Sequence, residues 1–156
     1  MKYRDFGLCN TNQMFKMALA HNFAVPAFNA YNMETLTAII SAARLTHSPV
    51  IVAISESALK YMGDDMLMGM IAGSGIRFNE QIALHLDHGS SLESCMHAIN
   101  IGFSSVMLDF SKRSLDENIT AKIFTIFVVL STVEGITRTV PTTHSVSSIS
   151  TLSPFW

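Results

Sequence analysis

His85, Asp87 and His88 fall within one short stretch, Ile82-Ala83-Leu84-His85-Leu86-Asp87-His88-Gly89. Imidazoles suit zinc and related metals, and a carboxylate beside them can orient a ligand or carry a proton. With the two-residue period of a strand, His85 and Asp87 share a face, whereas His88 sits where the strand turns out. The pattern is short, and each residue also has an ordinary structural reading. His85 reads as a packed, hydrogen-bonded histidine rather than a ligand. Asp109, at the end of Ser104-Ser105-Val106-Met107-Leu108-Asp109, reads equally as a loop-bracing carboxylate. Ser55 and Asn29 read as turn formers or as pocket contacts.

These residues share a position in the pattern of elements. A helix over Thr11 to Ala20 is followed by a strand over Phe23 to Asn29 and a helix capped by Asn32, with Leu36, Ile39, Ile40 and Ala43 on one face. Pro49 to Ile54 is a nearly continuous β-branched run, as expected of a parallel strand covered on both sides. Ala58 to Ala72 reads as helix in pieces, reopened at Gly63-Asp64-Asp65. Gln81 to Leu86 is the third strand. Ser90 to Glu93 reads as a capping box for a helix ending at Gly102, Ser104 to Asp109 is the fourth strand, and Ser114 to Glu117 is a second capping box. The strands start near 23, 49, 81 and 104, so each β/α unit takes 23 to 32 residues. Such alternation implies right-handed crossovers and a parallel sheet. Ligands of such sheets bind at the carboxyl ends of the strands, where Asn29, Ser55-Glu56, Asp87-His88 and Asp109 all lie. Polar groups at every strand end, after apolar runs, need partners or a ligand.

Composition limits the alternatives. Ten Lys+Arg against twelve Asp+Glu give a net charge of −2, which leaves no basic excess for binding nucleic acid. The longest candidate span, Ile123 to Leu130, is eight residues and contains Thr125, far below the roughly 18 apolar residues needed to span a membrane. Met1-Lys2-Tyr3-Arg4-Asp5 lacks the apolar run of a secretory signal, and Cys9 and Cys95 make no disulfide framework. A cytoplasmic protein with reduced thiols is expected.

The segment Ile82 to Gly89 resembles the first signature of class II, metal-dependent fructose-bisphosphate and tagatose-bisphosphate aldolases. Ala24-Val25-Pro26-Ala27-Phe28-Asn29 with Glu34, Ser48-Pro49-Val50-Ile51, Ser55-Glu56 through Lys60-Tyr61-Met62-Gly63, and Gly102-Phe103 through Asp109 with Glu117-Asn118-Ile119 are similar to that family in order and spacing. The resemblance covers about residues 8 to 120. It implies a (β/α)8 TIM barrel whose zinc polarises the carbonyl of dihydroxyacetone phosphate, and reversible aldol cleavage of fructose 1,6-bisphosphate to dihydroxyacetone phosphate and glyceraldehyde 3-phosphate. It also implies His88 as a zinc ligand, Asp87 as the proton donor or base at the aldehyde oxygen, and Asp109 at an alternative metal position. Ser55 would lie near the aldehyde substrate and Asn29 would line the pocket. His85 is not a ligand in that pattern.

The family's later motifs have no counterpart. In that family two further zinc histidines come from later strands, the phosphate is bound by later loops and the proton-abstracting glutamate comes from a later mobile loop, whereas here Val133-Glu134-Gly135 continues as Ile136-Thr137-Arg138 rather than Glu-Leu-Gly. Residues 120 to 156 hold eight Thr and six Ser with little charge. The α/β fold expected is therefore a truncated TIM barrel of about four units over residues 1–120, with a poorly ordered tail over 121–156. Such a chain is expected to be inactive alone, to self-associate into a homo-oligomer or to pair with a complementary half. A tagatose-bisphosphate aldolase and a non-catalytic partner subunit of an intact aldolase are the alternatives.

Overall fold

Among the described residues, four parallel strands form one sheet in the order β1-β2-β3-β4, with a helical crossover joining each strand to the next. The computed structural model describes residues 2–121, so the expectations for Ile123 to Leu130 and for the Thr/Ser-rich tail lie outside the described residues.

Helix α1 (Thr11–His21) starts where the Asn10 side chain accepts the Gln13 N–H, and stops at Asn22 in the left-handed region. β1 (Ala27–Asn29) is shorter than the expected Phe23 to Asn29. Pro26 has no N–H to give the ladder, so regular pairing begins after it, while its carbonyl accepts Ile51 N–H at 2.9 Å. Asn32 caps α2 (Met33–Thr46), as its position in the sequence suggests. β2 (Val50–Ser55) leads directly into α3 (Glu56–Met62), and Gly63, at φ 79°, separates that helix from α4 (Asp64–Gly73). β3 (Ile82–Gly89), α5 (Leu92–Ile101) and β4 (Ser105–Leu108) follow, and residues 115–121 form α6.

The capping box expected from Ser90 and Glu93 is displaced by one residue. Ser91 caps α5 by accepting the Ser94 N–H at 3.0 Å, because Ser90 is taken by Glu56. The second box is present: Ser114 N–H donates to Glu117 and Glu117 N–H to the Ser114 hydroxyl.

The pleat divides the sheet cleanly. Val50, Val52, Ile54, Ile82, Leu84 and Leu86 point to the helices and pack with Leu36, Ile40, Leu67, Ile71 and Ala98. On the other face Ile51 and Ala83 pack with Cys9, Met14 and Val25, so the N-terminal segment closes the amino end of the sheet. Cys9 N–H donates to Ile82 O at 3.0 Å, fixing that plug to β3. The carboxyl end is left for polar groups. Burial declines outward: β2 is buried over its first five residues, whereas all three residues of the edge strand β1 are exposed.

Candidate active site

Register places Ser55 beside Asp87 across β2 and β3, and Asn29 beside Ala53 across β1 and β2. Asn29, Ser55 and Asp87 thus lie at the carboxyl end of the inner face. Asn29 Nδ2 donates to Asp87 Oδ2 at 3.1 Å, spanning β1 to β3. Asp87 retains its other oxygen, which lies 3.8 Å from His88 Nε2.

Simple alternation would turn His88 away from Asp87, toward the helices. A bulge prevents this. β3 pairs Leu86 with Val106 and then Gly89 with Leu108, so three steps on β3 face two on β4. The extra residue is absorbed by His88, whose φ is 53°, and its ring meets Asp109 instead, with Nδ1 2.7 Å from Oδ2. An ionised carboxylate only accepts, so this bond puts the proton on Nδ1 and leaves Nε2 as the free lone pair of neutral His88. The Asp109 bond, followed by the charge of Asp87, raises the His88 pKa above its ordinary value. His88 in turn, with Ser111, holds Asp109 well below the usual carboxylate range. Asp109 Oδ1 accepts Ser111 N–H at 3.0 Å, so both of its oxygens are engaged.

His85 lies deeper on the inner face, half-buried, with Nδ1 2.8 Å from Ser105 Oγ; Thr11 Oγ1 reaches that hydroxyl at 3.5 Å. Burial lowers its pKa despite the opposing pull of Asp87. Its geometry is that of a packed, hydrogen-bonded histidine. Ser55 Oγ accepts Ala58 N–H at 3.2 Å and contacts Ser57 Oγ, so it caps α3. The structure thus joins Asn29, Asp87, His88 and Asp109 in one chain of contacts and leaves Ser55 beside it, committed to a helix end.

Sequence reasoning placed Glu56 at a strand end but gave it no role. Its carboxylate accepts Ser90 N–H at 2.8 Å and the Ser90 hydroxyl at 2.9 and 3.0 Å. Burial opposes ionisation there, but hydrogen bonds from Ser94 and Ser90 prevail and lower the pKa. The clamp ties the end of β2 to the end of β3. Its only sequence signal is an acidic residue after one strand and a Ser-Ser pair after the next.

A zinc site needs about three protein ligands. Among the described residues no group of three His, Cys, Asp or Glu converges on one metal position. His88 offers Nε2, His85 is committed to Ser105, and Asp109 already has one hydrogen bond on each oxygen. The described residues therefore do not by themselves fit the ion.

The family model for class II fructose-bisphosphate aldolase matches residues 9–127. The chain belongs to that family. The fructose-bisphosphate aldolase of Treponema pallidum is 44% identical over 122 residues, and that of Helicobacter pylori 42% over 113. The matches cover 75% and 72% of this chain but 37% of each relative, so the chain spans well under half the length of the curated relatives it matches. The YdjI aldolase of Escherichia coli superposes with a TM-score of 0.68 and 26% identity over 83% of this chain and 48% of that one. The four-stranded α/β sheet thus corresponds to part of an aldolase barrel. Among the described residues no helix is long and apolar enough to cross a membrane.

Proposed function

We propose that this chain supplies part of a class II aldolase site for fructose 1,6-bisphosphate, acting in the cytoplasm, and turns over only when a complementary half is present. The observation that carries this reading is Asp87, fixed by Asn29 at the mouth of the sheet and adjoined by the His88–Asp109 pair.

In cleavage, the Asp87 carboxylate takes the proton of the hydroxyl whose carbon becomes the aldehyde as the carbon–carbon bond breaks. In condensation it returns that proton to the aldehyde oxygen. His88 would contribute Nε2 to zinc, with Asp109 orienting the ring and lying at an alternative metal position. Ser55 would lie near the aldehyde substrate and Asn29 would line the pocket. The electron pair of the broken bond needs an electrophile, which the described residues do not complete. That shortfall, rather than any defect at Asp87, is why the chain alone is assigned no turnover. Both cysteines are buried free thiols whose pKa burial pushes up to about 11, in keeping with inert, reduced groups.

The test is aldol cleavage by the purified chain, with fructose 1,6-bisphosphate and its tagatose epimer, before and after adding the carboxyl-terminal half of the Treponema pallidum relative. No turnover alone and zinc-dependent turnover after mixing are expected. Asp87→Asn should lower the reconstituted rate by about 10²–10⁴-fold. Rates typical of intact aldolases from the chain alone overturn the reading. Inactivity of the mixture despite stable association favours a non-catalytic partner subunit.

A further inference from the structure

Among the described residues the sheet has two unlike open edges. β1 exposes all three of its residues, with Phe28 54% accessible, and β4 exposes Met107. Parallel strands pair edge to edge only if their polarity agrees, so β4 of one sheet can continue into β1 of another without a reversal. Turning a second copy about a two-fold axis along the strands does this at both edges at once, because such an axis preserves strand direction. Four strands and four strands then make the eight of a closed barrel, which removes every edge.

The helices give a second, independent complementarity. α2 follows β1 and packs on β2; α5 follows β3 and packs on β4. Each right-handed crossover thus lays its helix over the joint to the next strand. α6 follows β4, and no next strand stands beside β4 among the described residues. Leu115 and Ile119, one helical turn apart, are 74% and 48% exposed. They lie well round the helix from Ala121, which joins the core. A helix face that would cover the missing joint is therefore apolar and open. The matching surface stands at the other edge: a groove of about 490 Å³ on the helix-facing side of β1, lined chiefly by Pro26, Phe28, Ala38, Ile39, Ala42 and Val50. The net charge of −2 offers little repulsion between copies.

We infer that two copies of this chain close one eight-stranded barrel, with β4 of each pairing in parallel with β1 of the other and the Leu115/Ile119 face of α6 seated in the other copy's Phe28 groove. Both sets of strand-end residues then share one rim. The inference rests on the half-barrel reading above, but its readout is mass, so it can fail while the cleavage result stands.

Sedimentation velocity on the full 156-residue chain, from about 1 to 100 μM, should show a discrete species of twice the 17.1 kDa chain mass and nothing larger. Phe28→Lys and the double variant Leu115→Lys/Ile119→Lys alter opposite sides of the same joint. Each should weaken the dimer at least about tenfold while keeping the far-ultraviolet circular dichroism of the native chain. An equimolar mixture of the two should regain dimer, because a mixed pair keeps one unaltered joint. Amide exchange on the unmodified chain needs no folded variant: protection of 27–29 and 105–108 should rise with concentration. A monomer throughout, an open series of larger species, sensitivity to only one variant, failure of the mixture to recover, or a dimer with unprotected edges each overturns the proposal.

Discussion

Asp87 and His88 are chain neighbours with different partners, and the difference comes from one inserted residue. Asp87 follows the pleat to the inner face and meets Asn29; His88 leaves the pleat at φ 53° and meets Asp109. Gly89 makes that departure feasible. A Cβ built there would lie 2.8 Å from Met107 O, a backbone atom, and 2.9 Å from Cys95 Sγ. Gly89→Ala should therefore force β3 and β4 apart and cost about 1–3 kcal/mol in urea-induced unfolding. The residues that the structure joins in the candidate site, Asn29, Asp87, His88 and Asp109, were each named from the sequence, as was the packed, hydrogen-bonded setting of His85. Their pairing was not. Whether Asp109 faces a metal or a histidine depends on the bulge, and a register shift leaves no mark in composition or periodicity.

Elements are held in place by polar contacts at their ends. Ser55 caps α3, so Ser55→Ala should destabilise the chain by about 1 kcal/mol, read from the urea midpoint. A Ser55 acting only on substrate would leave that midpoint unmoved. On the opposite side, Arg44 of α2 grips Glu80 through Nε at 2.9 Å and Nη2 at 3.1 Å, and donates to Ser74 O at 2.9 Å. The Arg44 hydrogen bond, working against burial, lowers the Glu80 pKa below its ordinary 4.5. A carboxylate made more acidic by folding stabilises fully above its unfolded value and loses that contribution as pH falls below it. Glu80→Gln should therefore cost about 1 kcal/mol or less at pH 7, and the gap from the native chain should close below about pH 4 in parallel thermal melts. Four strands, their order of appearance and the break at Gly63 followed from hydrophobic runs and punctuating residues. The start of β1 and the cap of α5 did not, since each was decided by a competitor: the missing N–H of Pro26 and the pull of Glu56 on Ser90.

At the scale of the whole molecule, the described chain has a finished centre and unfinished margins. Val52, Ile54, Ile82, Leu84 and Leu86 are fully buried between sheet and helices, while Phe28, Leu115 and Ile119 remain open at the two ends of the sheet. Covering such side chains contributes roughly 25 cal/mol per Å² of apolar surface, so any partner that completes the barrel stabilises the folded state by mass action. The melting temperature of the chain should accordingly rise with added complementary half and approach a plateau once the half is in excess, as measured by differential scanning calorimetry. A melting temperature indifferent to that half at dilutions where the chain is monomeric would mean that the half does not cover these edges, whereas indifference at higher concentration is what the two-copy barrel predicts. The sequence by itself determined the β/α alternation, the polar residue at each strand end and the family, because hydrophobic period and motif order are local properties of a chain. Only the tertiary structure decided which strand end touches which, that Asp109 holds His88, that Glu56 ties the end of β2 to the end of β3, and which apolar side chains stay uncovered. Those facts depend on strand register and on neighbours distant along the chain, and local sequence carries neither.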